Sequence, residues 1–583
     1  MLALSSLAPA YAQDLSQQVL AQIAELQSEK ASRNTAQRKM SSSLVYGSKA
    51  SRGELSGVAS TLRSVAKAGT DGAVLVDIKT TVGASDQVAA AVTSLGGTIV
   101  SQVAQFNAIR ASVPLAQMEV LAGNSAVQAV RTAARAVTNA GSLNTQAYIS
   151  HKARETHTLG HTGAGVKIGV LSDSASAARV SALMASGDLG PNTTVLAGQN
   201  GPVNGSDEGT AMMEIIQDMA PGAQIYFATA FTSAASFAAN ILALGAAGCT
   251  IIVDDVSYGD EAVFQDGLIA QAVNTFVAGG GIYFSSAANS GNLSSGTSGT
   301  WEGDFLSGGA ATGVLAGAGN VHNFGTGGSP VLFDTVTGTT DFVSLFWSDP
   351  LGGSGNDYDI YVLNSAGTVI HDASTDVQDG NDDPFEAFGD AFAGERIVVV
   401  QFAGTARALH LDMNRGQIAI NTSGSTHGHN AGLNTVSMAA TAWNSAFIGT
   451  KPFAGGASNP VETFSSDGPR KIFYDATGTA ITAGNFLFGT NGGTTLQKPD
   501  LSAADGVITK TTGFNPFFGT SASAPHAAAI AALIKSAKPA YTNAQIKTAM
   551  TSSALDIMAA GADRDSGFGL TMALEAVQYA LAH

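Results

Sequence analysis

The sequence predicts an α/β protein built on a doubly wound parallel sheet, with an α+β domain before it and an antiparallel β-sandwich inserted into it. Three patterns carry this. From His151 onward, continuous apolar runs (VKIGVLSDS, AQIYFATA, CTIIVDDVSYG, GGIYFSSAANSG) alternate with helical segments, as parallel strands covered on both faces do. Between about 72 and 131 the order is strand, helix, strand, strand, helix, strand, which is the ferredoxin-like plan. Between 296 and 425 short alternating strands (VSLFWSD, DYDIYVLN, ERIVVVQF, ALHLDM) are parted by Gly/Asp-rich turns, the mark of a sandwich.

Taken in order, MLALSSLAPAYAQ has a short apolar segment and the small-residue pattern Ala10-Tyr11-Ala12, without a positively charged leader. Residues 1–12 are therefore expected to be a truncated secretory signal, cleaved after Ala12. Residues 13–70 are polar, with a helical pattern in DLSQQVLAQIAELQSEK and no clear core, and are expected to be an exposed helix and linker. The α+β domain spans 71–132, and the doubly wound domain spans 150–295 and, after the sandwich at 296–425, resumes over 426–583. No stretch after the leader is long and apolar enough to cross a bilayer. A formal net charge of −17 argues against nucleic-acid partners and against docking on anionic lipid. The single cysteine, Cys249, lies in an apolar run, so neither a disulfide within the chain nor a cysteine metal site is expected.

The chemistry concentrates at Gly519-Thr520-Ser521-Ala522-Ser523-Ala524-Pro525-His526, followed by an Ala-rich helix. A serine there meets the unpaired N–H groups and positive end of the helix, which favours developing negative charge. As a bare Thr-Ser before a helix it would be an N-cap. The longer block GTSASAPHAAAIAAL, however, resembles the nucleophile block of subtilisin-like serine peptidases. That resemblance implies a subtilisin-like sheet, a catalytic Ser521, and triad members in the order Asp, His, Ser. VKIGVLSDS matches the first motif and makes Asp173 the acid. GGIYFSSAANSGN matches the oxyanion-hole segment through Asn289, with Ala288 where the family has Gly. IIVDDVSYGDE matches the strand that pairs with substrate backbone, which makes Ser257, Tyr258 and Gly259 one edge of the cleft. His526 matches a family histidine that is not the base.

The second motif departs from the family. Asp207-Glu208-Gly209-Thr210-Ala211-Met212-Met213, followed by Met219-Ala220-Pro221, matches the histidine motif with Glu208 at the histidine position, and no histidine lies between His161 and His322. A glutamate with an ordinary pKa near about 4.3 is a weak base unless burial or a second acid raises it. Asp173 is expected to supply that acid, the pair titrating as a unit. This resembles the serine-carboxyl peptidases, or sedolisins, although their Asp would fall at Met212 and their oxyanion Asp at Asn289. Asp255, two residues before Ser257 and on the same strand face, is a candidate third member of the proton-sharing set.

The resemblance extends to 71–132, which stands where subtilisin-like enzymes carry a propeptide that acts as folding chaperone and intramolecular inhibitor; the processing junction would lie within Arg131–Ser150. The insert is similar to small sandwich modules of secreted bacterial peptidases. Its Asp357, Asp359, Asp379, Asp382 and Asp383 are either oxygen ligands for a structural Ca²⁺ or solvated turn acids. The expected function is a secreted or periplasmic, acid-favouring serine endopeptidase acting on polypeptides with a Ser-Glu-Asp triad and no cofactor in catalysis. The alternative is an inactive subtilisin-like fold serving as a binding or scaffold protein.

Overall fold

A computed structural model describes residues 15–134, 136–137, 145–310, 319–327, 329–445 and 451–583. The Ala10-Tyr11-Ala12 leader and most of the expected processing junction lie outside them.

The centre is a seven-stranded sheet in the order Leu501–Asp505, Thr435–Ala442, Ile282–Ser286, Ile251–Asp254, Lys167–Ser172, Gln224–Thr229, Thr194–Val195, all neighbours parallel. Its strands read as unbroken apolar runs because both faces are covered. Along Ile251-Ile252-Val253, Ile251 and Val253 pack with Ala211, Ile215 and the helix Thr520–Ala537, while Ile252 packs with Phe237, Ile241 and Val273 on the opposite face. Side chains alternate across the strand and two separate cores form. Asp173, Asp255 and Asn289 follow the carboxyl ends of three of these strands, where sites of open α/β sheets lie.

The insert contains two antiparallel sheets. One is Thr300–Asp304, Ala408–Asp412, Val343–Trp347 and Phe385–Phe388; the other includes Asp357–Leu363, Ile370–Ser374 and Arg396–Ala403. Between them pack Trp301, Leu345, Trp347, Ile360, Val362, Val399 and Leu411. Along Asp357–Leu363 the alternation again yields two buried faces. Ile360 and Val362 point into the sandwich, whereas Tyr361 and Leu363 point outward and are buried by Val19, Leu20, Ile23 and Leu26 of the helix Gln17–Ala31.

This corrects the expectation of an exposed helix and linker over 13–70. The helix carries its own apolar stripe, and the surface that buries it lies more than 300 residues away. Several acids of the insert meet N-terminal cations. Lys30, 1% exposed, puts Nζ 2.5 Å from Asp357 and 2.6 Å from Asp359. Arg38 meets Asp379 at 3.3 Å, and Lys79 and Arg131 meet Asp383 at 3.5 and 3.6 Å. N-terminal cations thus stand against Asp357, Asp359, Asp379 and Asp383.

Between these parts, residues 73–132 form a four-stranded antiparallel sheet in the order Thr98–Val103, Ala108–Pro114, Ala73–Thr80, Val127–Thr132. Val88, Val92, Met118 and Leu121 of its helices cover Val76, Ile78, Ile109 and Val130. Arg110 joins this domain to the central one. It grips Asp77 at 2.6 and 2.7 Å and donates to the carbonyls of Thr232 and Ala134 at 3.0 Å.

Candidate active site

The nucleophile candidate sits in the first turn of the helix Thr520–Ala537. Gly519, which precedes it, has φ of 103°, a backbone conformation costly for any residue with a Cβ. Its N–H donates to Asp505 at 3.0 Å. The N–H and hydroxyl of Thr520 both donate to the Asn289 carboxamide oxygen, at 3.1 and 2.9 Å. Asn289 is thus fixed by its oxygen beside the residue that adjoins Ser521, while the side chain lines the cleft. Ala288, in the usual glycine position, takes φ of 75°.

Asp173 is saturated with donors. One oxygen accepts the N–H of Ser174 and that of Glu208, the latter at 3.0 Å; the other accepts the N–H and hydroxyl of Ser206 at 2.5 and 2.7 Å. By accepting the Glu208 N–H it pins the start of the helix Glu208–Met219. Glu208 is the first residue of that helix, fully buried, where the helix N-terminus favours a carboxylate.

The acid whose titration is tied to the Glu208 side chain is Asp255. Its carboxyl is pushed well above the usual range, first by burial and then by the charge of Glu208, with Asp173 and Asp254 adding to it and the Ser172 hydroxyl opposing. Glu208 and Asp255 are both buried, and the charge of one opposes ionisation of the other. Arg415, in the turn between the insert strands Ala408–Asp412 and Gln417–Ile418, also lies in the field of Glu208. Its crowded surroundings lower its pKa, and the charges of Glu208 and Asp341 partly offset this.

Two histidines in this part of the molecule are committed elsewhere. His526 is buried, with Nδ1 on the Ala522 carbonyl at 2.7 Å and Nε2 on the Thr145 hydroxyl, and burial holds its pKa well below the usual value. His429 lies between Glu261 and Asp254. Burial acts to lower its pKa, but those two carboxylates outweigh it and raise it to about 10. Nothing in the sequence near His429 marks it, because Glu261 and Asp254 reach it from more than 160 residues away. Arg415 was equally invisible to sequence reasoning, since only the fold returns the end of the insert to the cleft.

The cleft itself has a volume of about 780 Å³. Ser257, Gly259 and Asn289 line one side, and Asp412, Arg415 and His427 line another. Tyr258 shows the cleft its backbone, for its ring is buried and its hydroxyl donates to the Ala230 carbonyl at 2.7 Å. Ser521, Glu208 and Asp173 are buried. Along the Ser257–Tyr258 edge the chain's own Ala136–Val137 is laid down as an antiparallel strand, Ser257 opposite Val137 and Tyr258 opposite Ala136.

The subtilase family model, Peptidase_S8, matches residues 192–569. The minor extracellular protease Epr of Bacillus subtilis is 40% identical over 81 residues, 13% of this chain and 12% of Epr, so the chain spans about an eighth of that relative's length. Among solved structures, the CspB protease of Clostridium perfringens aligns with a TM-score of 0.46 at 12% identity, over 74% of this chain and 99% of its own. Fervidolysin of Fervidobacterium pennivorans, a keratinolytic enzyme related to subtilisin, aligns with a TM-score of 0.40 at 11% identity, over 87% of this chain and 61% of its own.

Proposed function

The chain belongs to the subtilase family, and on that premise we propose that it is a secreted or periplasmic serine endopeptidase with a Ser521-Glu208-Asp173 triad. Ser521 Oγ attacks the peptide carbonyl as its proton passes to Glu208. The C–N bond then breaks as Glu208 returns that proton to the leaving amine, and water releases the acyl group by the same steps in reverse. Asn289 and the Ser521 N–H bind the oxyanion. The observation that carries this reading is the pair of ties between elements: Asp173 to the Glu208 N–H at 3.0 Å, and Asn289 to Thr520 beside Ser521 at 2.9 and 3.1 Å.

Asp173 acts here as the anchor of Glu208, and Asp255 as the acid that shares its proton. A proton held between Glu208 and Asp255 is retained in mild acid and lost as pH rises, so activity favours acid. The strand order of residues 73–132 supports a ferredoxin-like pro-domain. The antiparallel seat of Ala136–Val137 on the Ser257–Tyr258 edge supports its role as an intramolecular inhibitor that holds substrate-like backbone in the cleft. The insert serves as the platform on which the N-terminal helix docks. Secretion rests on the Ala10-Tyr11-Ala12 leader.

A fluorophosphonate probe tests the nucleophile. Labelling at Ser521 between pH 4 and 8, lost in Ser521→Ala and accompanied by self-release of the N-terminal domain, is the expected result. No label and no self-release at any of these pH values would favour the scaffold alternative.

A further inference from the structure

A second cluster stands where the insert meets the central domain. His410 and Asp412 are two residues apart on the strand Ala408–Asp412, so their side chains leave the same face. The segment returning from the insert brings His427 against that face. The two imidazole rings are 5.1 Å apart, and one donor atom from each of His410, Asp412 and His427 lies within 4.8 Å of the others.

The surroundings orient these donors. His410 is fully buried, its Nδ1 is 2.8 Å from Glu302 Oε1, and its Nε2 has no hydrogen-bond partner. A buried ring nitrogen left without a partner is costly, and a metal ion is one of the few groups that satisfies it. His427 places Nδ1 3.4 Å from the Ser425 carbonyl, leaving Nε2 to ligate. Asp412 is held by the Thr300 hydroxyl at 3.1 Å and the Asn414 N–H at 2.9 Å, with lone pairs to spare on both oxygens.

A carboxylate or carbonyl beside each Nδ1, with a donor atom of each ring and of an aspartate within 4.8 Å of one another, is the arrangement of ligands and supporting hydrogen bonds found in zinc-class sites. Imidazole pairs with one carboxylate suit Zn²⁺ and its neighbours better than Ca²⁺ or Mg²⁺. Bonds of about 2.1 Å in a tetrahedron put donors about 3.4 Å apart. His427, half-buried on a loop, is the member free to close the remaining gap. Asp412 and His427 also line the cavity shared with Asn289, so the fourth position opens toward the cleft.

We propose that His410, Asp412 and His427 bind one divalent transition-metal ion of the zinc class, which clamps the inserted sandwich to the central domain at the wall of the cleft. The site does not depend on the peptidase reading.

The test uses the full chain, stripped with chelator and dialysed against micromolar Zn²⁺ or Co²⁺. One metal ion per chain is expected, with the intense visible absorption of tetrahedral Co²⁺. His427→Gln, at a half-buried position and checked for folding by circular dichroism, should abolish both. Glu302→Gln should leave the stoichiometry intact and weaken binding about 10- to 100-fold, as loss of a carboxylate that orients a ligating imidazole does. Failure of the wild type to hold one ion, or equal binding by folded His427→Gln, would overturn the proposal. Should His427→Gln not fold, the wild-type metal content and Co²⁺ spectrum decide it alone.

Discussion

Replacing Lys30 with methionine keeps the length of the side chain and removes its charge from a pocket where Lys30, Asp357 and Asp359 have side-chain exposures of 1%, 4% and 0%. Burial opposes protonation of Lys30, but Asp359 and Asp357 outweigh it and raise its pKa, so the ammonium is a fixed part of the pocket at every working pH. Its removal strands two carboxylates beside Glu386 with the desolvation uncompensated. Breaking a buried pair from one side costs about 3–5 kcal/mol. Since about 1.4 kcal/mol is a factor of ten, the helix Gln17–Ala31 should detach from the sandwich on the order of a hundred- to a few-thousand-fold more often. Limited proteolysis of residues 15–70 in the intact, Ser521→Ala background reads that opening directly.

The pH dependence has a definite sign. Asp357 is already pushed up to about 7, burial outweighing the pull of Lys30. A carboxyl whose folded pKa exceeds its unfolded value near about 3.9 makes the folded state bind more protons, so the stability it lends falls as pH rises between those values. Lys30→Met should therefore be most damaging at pH 8 and mildest at pH 5, where the stranded acids take up protons. A change of less than tenfold at pH 8, or a larger effect at pH 5 than at pH 8, would refute the reasoning.

Asn289→Ala should lower kcat roughly 100- to 1000-fold with little change in KM, because the lost donor acts on the oxyanion; a change confined to KM would remove it from that role. Asp255→Asn keeps a neutral donor beside Glu208 but cannot ionise. Its kcat/KM should lose the alkaline fall that follows ionisation of Asp255 in the wild type, and an unchanged alkaline limb would exclude proton sharing. Ala288→Gly relieves a left-handed backbone at φ of 75° that costs a residue with a Cβ about 1–2 kcal/mol, against about 0.5–1 kcal/mol of glycine entropy. The net should be neutral to slightly stabilising in thermal unfolding, whereas a loss above about 1 kcal/mol would mean that the Ala288 methyl is needed for packing.

What was legible in the sequence is what local pattern dictates. VKIGVLSDS, CTIIVDDVSYG and GGIYFSSAANSG lie at Lys167–Ser172, Ile251–Asp254 and Ile282–Ser286 of the parallel sheet, because strands buried on both faces must be apolar throughout. Asp173 and Asp255 stand just beyond strand ends, and burial, followed by the charge of Glu208, raises the pKa of Asp255. Pairings between distant segments were not legible. Lys30 meets Asp357 across 327 residues and His429 meets Asp254 across 175, and no window of sequence contains both partners. The bond from the Glu208 N–H to the Asp173 carboxylate was not legible either, since it depends on how the helix Glu208–Met219 begins against the end of a strand. The apolar stripe of DLSQQVLAQIAEL looked too small for a core because the surface that completes it is the outer face of the insert.

The account stands most directly on Glu208 as the base, and the pH dependence of kcat/KM for the wild type and Glu208→Gln on a peptide substrate measures it. The wild type should give a bell with its maximum on the acid side, and Glu208→Gln should lose at least about 100-fold at every pH, the scale of a general base. A wild-type profile that climbs toward alkaline pH, with Glu208→Gln retaining its activity, would contradict it.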